Sequence, residues 1–446
     1  MNKSNRQPLR GSFPNLRGSF LNSRESFPNS RGNQATDLVD RLILEIPKAS
    51  ETCNPSVLLT QNSGMSPVSG YILLKLASRC NLNCSYCYWF RDKSVYETPA
   101  LMTTEVVHRF LSLLERHIIR HNLPTFRCIY HGGEPLLFGV HRFADLVERI
   151  NVIGSRTGCK MEHSITTNGV LINDSWADLF KRQDVRVAVS IDGPIEVHDR
   201  RRPKISGRGS HEQAVRGYSL LCKFGLAPAI IAVCDPLSDP EAVLSHFVDE
   251  LGARYCDILV PDLNYDDNVE SVSAYYIKLF DVWYDKYSEF GVDVRFLSGL
   301  VRGILGLEPN SDSFGYAPVH TVSLCTNGAL EPLDVLRIAG YRSTQTATNV
   351  FNSDIDDVRT EPAWKHAYEA SLRLCSKCEA CRYRNACGGG HLSQRWSKAN
   401  GYDNPSVYCA DFERILDHVK NRVLSDLTIL EDGREMSRDQ VRLVFA

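Results

Sequence analysis

The stretch Ser78-Arg79-Cys80-Asn81-Leu82-Asn83-Cys84-Ser85-Tyr86-Cys87-Tyr88-Trp89 decides how this chain is read. Cys80, Cys84 and Cys87 stand at spacings of four and three on one short loop, directly after the apolar run Tyr71 to Ala77. Cysteines set this close on a single loop read first as metal ligands. A [4Fe–4S] cube takes four cysteine ligands. A loop that supplies three leaves one iron with an open position, where a small molecule can bind and react. The competing readings are a zinc loop and a set of buried thiols. Zinc loops pair Cys-x2-Cys with a second pair elsewhere, so three cysteines on one loop count against zinc.

A chain of 446 residues allows two or three domains and a large core. Hydrophobic residues at 43% and charged residues at 23% are ordinary for a globular protein. A net charge of −2 gives no basic field for nucleic acid. No apolar run reaches the ~18 residues that span a bilayer, and the basic N-terminus lacks the apolar core of a secretory signal. The expectation is a cytoplasmic protein with no membrane and no nucleic-acid partner. The 15 cysteines, clustered and odd in number, fit metal ligation in a reducing compartment better than disulfides.

Residues 1–35 carry a degenerate seven-residue repeat (Arg10-Gly-Ser-Phe-Pro-Asn, Arg17-Gly-Ser-Phe-Leu-Asn, Arg24-Glu-Ser-Phe-Pro-Asn) and read as a disordered tail. Its recurring Phe13, Phe20 and Phe27 leave a docking motif as the second reading. Residues 36–69 form a lead-in with a short helical pattern from Leu38 to Leu44. From Tyr71 onward, strand-like runs at 71–77, 125–130, 161–167, 185–191, 228–234 and 256–260 alternate with amphipathic patterns. These lie near 103–121, 141–154, 173–182, 211–224, 240–251 and 269–289. Such alternation predicts an α/β fold with parallel strands joined by right-handed crossovers. Six units fall short of a closed eight-stranded barrel.

Cys-x3-Cys-x2-Cys, with the aromatic Tyr86 before its last cysteine, is the signature of the radical S-adenosylmethionine (SAM) enzymes, and the chain resembles them. The resemblance implies a partial (β/α)6 TIM-like barrel over residues 70–305, open on one side to admit substrate. It implies that Cys80, Cys84 and Cys87 hold a [4Fe–4S] cluster whose fourth iron is chelated by SAM. One electron then cleaves the sulfonium, and the 5′-deoxyadenosyl radical abstracts a hydrogen atom from substrate. It also implies the SAM contacts. Gly132, Gly133, Glu134 and Pro135 match the family's Gly-Gly-Glu-Pro at the SAM amino group. Thr167 and Asn168 lie in Thr166-Thr-Asn-Gly169, which matches a stretch near the ribose and methionine part. Ser190, Asp192 and Arg202 fall in Ser-x-Asp-Gly-Pro-x3-His-Asp-x2-Arg, whose arginine suits a carboxylate. Three consecutive arginines, 200 to 202, leave the contacting one open. For Thr167, Asn168 and Asp192, plain turn chemistry stands as the other reading. Tyr86, Tyr88, Trp89 and Phe90 are expected either to pack the adenine or to join the core.

Beyond residue 305 the pattern changes. Cys378, Cys381, Cys387 and Cys409 form Cys-x2-Cys-x5-Cys and a distant fourth, which fills a cluster completely. This resembles the SPASM extension of radical SAM peptide maturases, and implies one auxiliary [4Fe–4S] cluster in a reduced SPASM-like domain over residues 306–412. Zinc is the other reading of the same four thiols. Two positions where a full SPASM domain has cysteine hold His391 and Leu333, so a further cluster is expected to be absent. Cys375 and Cys325 stay unplaced. Residues 413–446 read as a C-terminal helical segment. Within this class the chain resembles the maturases that form three-residue cyclophanes, joining an aromatic ring carbon to the β-carbon of a nearby residue in a ribosomal precursor peptide. Other radical SAM products, namely a thioether, formylglycine or an epimerised residue, are the alternatives, and a zinc-stabilised binding protein is the reading from another class. Asp334, directly after Leu333, is the candidate catalytic base, its other reading being a solvated turn. The expected partners are the precursor peptide and an external one-electron donor such as flavodoxin or ferredoxin. The peptide is expected to add a strand to an exposed sheet edge, with recognition near 290–320 or in a separate partner.

Overall fold

The computed structural model describes residues 69–429, apart from 308, 310, 312, 316 and 317. The repeat-bearing tail, the lead-in helix pattern and the segment 430–446 lie outside the described residues.

Six strands follow the expected runs: β1 (Tyr71–Ala77), β2 (Thr125–Gly132), β3 (Lys160–Thr167), β4 (Val185–Ser190), β5 (Ala229–Val233) and β6 (Tyr255–Leu259). They pair in parallel and in chain order. Between them run α1 (Thr104–His121), α2 (Val140–Thr157), α3 (Asp174–Arg182), α4 (Ile195–Arg201), α5 (His211–Lys223) and α6 (Pro240–Ser245). After β6 come α7 (Ser273–Lys286), β7 (Asp293–Val294) and α8 (Arg295–Ile304). Local chemistry sets these boundaries. Thr103 accepts a hydrogen bond from the Val106 amide at the start of α1, and Asn122 closes it in the left-handed region at φ 46°. The apolar positions Val106, Val107, Phe110, Leu111, Leu114 and Ile118 put one face of α1 into the core. The pattern near 240–251 splits, because the backbone after Ser245 widens into a π turn at His246–Glu250. Sequence patterning missed α4, whose seven residues carry too few apolar positions to show a period.

The sheet does not stop at six strands. Among the described residues it has nine, in the order β7-β6-β5-β4-β3-β2-β1-β8-β9. The late strand β8 (Val322–Leu324) lies parallel to β1, and β9 (Leu330–Glu331) turns back antiparallel to β8. The C-terminal region therefore extends the sheet of the core. Flanked by β2 and β8, β1 is buried from Ile72 to Ala77, as a parallel strand covered on both faces must be. Both edge strands are two residues long, and Leu330 of β9 already bonds Thr348 and Thr346. On the β7 side, β6 runs three residues past its pairing with β7. Beyond β9 follow α9 (Pro362–Leu372), α10 (Ser376–Glu379), α11 (Arg384–Cys387) and α12 (Cys409–Ile429). The C-terminal helix thus begins at Cys409, earlier than residue 413. Among the described residues, no helix is long and apolar enough to cross a membrane.

Candidate active site

Parallel strands bring their C-terminal ends to one rim, with Ala77 beside Gly132 and Thr167 beside Val189. Cys80, Cys84 and Cys87 follow β1 on that rim and are half-buried. Gly132-Gly133-Glu134 locks the loop in place. The Gly133 amide donates to Ala77 O at 2.8 Å and the Glu134 amide to Arg79 O at 2.9 Å. A Cβ on Gly133 would stand 2.2 Å from Arg79 O. These glycines let β2 press against the backbone of the cysteine loop itself. Glu134 is fully buried and joins β2 to β3, accepting from the Thr167 hydroxyl at 2.7 Å, the Asn168 amide at 2.9 Å and the Leu136 amide at 3.0 Å. Pro135 opens the short helical turn behind it. Asn168 reaches the cysteine loop, donating to Asn81 Oδ1 at 2.7 Å and to Cys80 Sγ at 3.7 Å. Turn chemistry is present too, since Asn168 Oδ1 and Thr167 Oγ1 accept from the Val170 and Gly169 amides.

Across the rim, Tyr86, Asp192 and Arg202 form one polar knot. The Tyr86 hydroxyl donates to Asp192 Oδ2 at 2.6 Å, and Arg202 donates to Tyr86 at 2.5 Å and to Asp192 Oδ1 at 3.2 Å. Ser190 is buried at the end of β4, two residues before Asp192. Of the three arginines, Arg200 pairs with Asp235 and Arg201 bonds Cys234 O at 2.7 Å, so Arg202 is the one inside the site.

A second polar knot gathers the candidate base Asp334 and Tyr88 with Lys75 and His131, to which the sequence reading gave no role. Asp334 is buried, which removes the solvated-turn reading, and its Oδ2 accepts from Lys75 of β1 and from the Tyr88 hydroxyl at 2.6 Å. Lys75 is fully buried, lies 3.0 Å from His131 Nδ1, and stands 4.4 Å above the Trp89 ring. Burial pushes the Asp334 carboxyl up, but Lys75 and His131 more than offset it and bring it down to about 2. Burial, with Lys75 next to it, brings His131 down to about 4, so its ring is neutral. One charge in the apolar run Tyr-Ile-Leu-Leu-Lys-Leu-Ala was the signal that could have found this knot. The aromatics sort accordingly: Trp89 joins Val95 and Cys325 in a small core, Tyr88 serves Asp334, and Phe90 stacks on Tyr96 at 5.7 Å.

In the C-terminal region, Cys378 of α10, Cys381, Cys387 of α11 and Cys409 of α12 line one cavity of about 370 Å³. Gly388 makes this possible in the left-handed region at φ 58°, where a Cβ would meet Gly315 O at 2.1 Å. Cys375 lies against Cys378 outside the cavity lining. Cys325 is buried far along the chain, with Arg337 donating to its sulfur at 3.8 Å. Leu333 and Leu392 share an apolar cluster with Leu336 and Tyr402. That packing occupies the neighbourhood of Leu333 and His391, where a full SPASM domain has cysteines. His391 turns to Asp262 and Ser393.

Every cysteine among the described residues is a free thiol. Burial pushes the Cys80 thiol up to about 12, with Glu134 adding to it, and raises Cys84 and Cys87 as well. Such thiols keep their protons until a cation replaces them, so loading a metal cluster releases protons. Tetrahedral zinc with Zn–S bonds of ~2.3 Å would draw sulfurs to about 3.8 Å of one another. Among the described residues, no three cysteine sulfurs lie within 4.8 Å of one another. Soft thiol donors in sets of three and four fit iron–sulfur clusters. The SAM side fits as well, because Arg202 Nε is buried without a hydrogen bond and so has a donor left for a carboxylate.

The radical SAM superfamily profile matches residues 74–239, the stretch from β1 to the start of α6. The chain belongs to this superfamily: it is a radical SAM enzyme, dependent on S-adenosylmethionine and [4Fe–4S] clusters. An uncharacterized protein of Synechocystis sp. is 34% identical over 366 residues, spanning 76% of this chain and 88% of that one. A cysteine-type anaerobic sulfatase-maturating enzyme of Clostridium novyi is 24% identical over 363 residues, spanning 77% and 93%. Among solved structures, native anSMEcpe with bound AdoMet and Kp18Cys peptide superposes with a TM-score of 0.70 at 22% identity, covering 81% of this chain and 99% of that one. At that identity the likeness is one of fold.

Proposed function

We propose that the chain matures a peptide or protein by taking a hydrogen atom from the β-carbon of a cysteine side chain and oxidising that carbon to the aldehyde of formylglycine. The observation that carries the reading is Asp334, buried, ionised and hydrogen-bonded to the residue that follows Cys87. The names of the sulfatase-maturating relatives, and the peptide in the superposed structure, favour this product over the cyclophane first expected.

Cys80, Cys84 and Cys87 would hold the first cluster, with Arg202, Glu134 and Asn168 around SAM and Cys378, Cys381, Cys387 and Cys409 around the auxiliary cluster. Bound there, cluster and SAM supply a carbon radical that removes one hydrogen atom, an external one-electron donor having reduced the cluster. Asp334 Oδ2 would accept the thiol proton as the β-carbon radical loses its electron, for which an iron–sulfur cluster would be the acceptor, and water then replaces sulfur at the resulting thioaldehyde, releasing hydrogen sulfide. Lys75, hydrogen-bonded to that carboxylate and 3.0 Å from His131 Nδ1, holds Asp334 Oδ2 in position to take the proton. The apolar cluster at Leu333 and Leu392 favours the second reading, a C–C crosslink, because it leaves room for fewer auxiliary clusters.

One experiment separates the two. Reconstituted enzyme is mixed anaerobically with SAM, dithionite and a cysteine- and aromatic-containing peptide, and the products are weighed. Formylglycine chemistry gives 5′-deoxyadenosine and a peptide that has lost sulfur and reacts with a hydrazine. A crosslink gives a peptide that keeps its sulfur and is lighter by two hydrogens. In Asp334→Asn the 5′-deoxyadenosine should persist while product formation drops by roughly 10²-fold or more. An undiminished product rate would remove Asp334 from the mechanism.

A further inference from the structure

Away from the rim, α1 meets the segment after β9 at a group that none of the chemistry above uses. His117 and His121 stand four residues apart on α1 and so share one face, with ring centroids 4.8 Å apart. Both face Asp356, which lies in the helical turn Ile355–Thr360. Among the described residues, these three form the one group of three metal-ligating side chains whose ligand atoms all lie within 4.8 Å of one another.

The hydrogen bonds define what each atom has left. His117 is 3% exposed, and its Nε2 lies 3.0 Å from Ser69 O. A carbonyl only accepts, so Nε2 carries a proton and Nδ1 is the ring atom turned to Asp356. That Nδ1 is buried, makes no hydrogen bond, and stands 3.5 Å from Asp356 Oδ2. His121 Nε2 approaches the same oxygen to 2.7 Å. The other oxygen, Oδ1, is held by Arg359 at 2.8 Å, which aims Oδ2 at the two rings. Outer partners on both His117 and Asp356 are the arrangement that orients metal ligands. The nearby Arg116 and Arg120 are engaged mainly by Asp354, at 2.7 and 2.8 Å, and Arg120 reaches Asp356 Oδ2 only at 3.5 Å.

We propose that His117 Nδ1, His121 Nε2 and Asp356 Oδ2 bind a divalent transition-metal ion of the zinc class, pinning α1 to the C-terminal region. Zinc bonds of 2.0–2.2 Å put tetrahedral nitrogen and oxygen ligands about 3.3 Å apart. The His117 distance already suits that spacing. The His121 distance must open by about 0.6 Å, which a partly exposed ring at the end of α1 allows. Water from the open side completes the shell. Two imidazoles and a carboxylate with no thiol distinguish this site from both cysteine groups.

The test uses holoenzyme with its iron–sulfur content complete, dialysed against micromolar zinc chloride and assayed for zinc and iron together. The wild-type chain should hold about one zinc ion more than His121→Gln at equal iron. Glutamine still donates to Asp356 Oδ2 but is a poor zinc ligand, so the fold survives while the ion is lost. Asp356→Asn should lose the same ion and decides the matter if His121→Gln fails to retain iron. Zinc should raise the melting temperature of the wild-type chain and leave the variants unmoved. Equal zinc in wild type and variants, whether none or one, overturns the proposal. The outcome is independent of which product the enzyme forms.

Discussion

Lys75 is the residue on which the site's electrostatics turn. Burial pulls Lys75 down and pushes Asp334 up, and the contact between them opposes both effects. Removing one partner of a buried pair typically costs about 3–5 kcal/mol, because the other charge is left uncompensated. Lys75→Met should therefore lower stability by about that much and lift Asp334 toward neutrality, so product formation becomes dependent on pH in the acid range. Adding Asp334→Leu to Lys75→Met should restore most of the stability, since an apolar replacement of the whole pair is often neutral. Anaerobic urea unfolding checks both; a single variant as stable as the parent would show that the pair is not held as described. Sequence carried half of this. A lysine inside Tyr71–Ala77 stands out, but its partner lies 259 residues further on, beyond the reach of any local pattern.

Elements of ordinary length were legible because their periodicity is local. Strands β1 to β6 and the helices between them have enough residues for alternation or a 3.6 repeat to emerge. Strands β7, β8 and β9 have two or three residues each, and only pairing to distant strands defines them. The motifs Gly-Gly-Glu-Pro and Thr-Thr-Asn-Gly were legible as rim segments, while their joint role, Glu134 clasping Thr167 and Asn168, needed the fold. The contact between the end of β2 and the cysteine loop offers a direct test. Gly133→Ala places a methyl group 2.2 Å from Arg79 O, against backbone that cannot swing away. On the ligand sets proposed above, the variant should lose the cluster of Cys80, Cys84 and Cys87 and keep that of Cys378, Cys381, Cys387 and Cys409, about half the iron, as read by electron paramagnetic resonance and iron analysis. Full retention of both signals would mean that the cysteine loop does not depend on this close approach.

At the scale of the whole molecule, the buried neutral histidines set the acid limit of stability. Burial holds His131 and His163 down to about 4 and His198 to about 3, with Lys75 adding to it at His131, Arg202 adding to it at His198, and Asp184 opposing it at His163. Their folded pKa values lie below the unfolded value near 6.5, so their contribution is complete above about pH 6.5 and is lost as pH falls toward 4. At pH 5 each should cost about 2 kcal/mol relative to pH 7. The urea midpoint at constant iron content should therefore fall steadily over that range, and a flat profile would contradict the assignment. The sheet order carries one more consequence. The Tyr71 hydroxyl meets Thr321 Oγ1, 250 residues along the chain. At translation rates of roughly 5–20 residues per second, the first strand waits on the order of 12–50 s for its second neighbour to leave the ribosome. Through that interval the nascent polypeptide shows one bare flank of its first strand, with three uncapped sulfurs beside it.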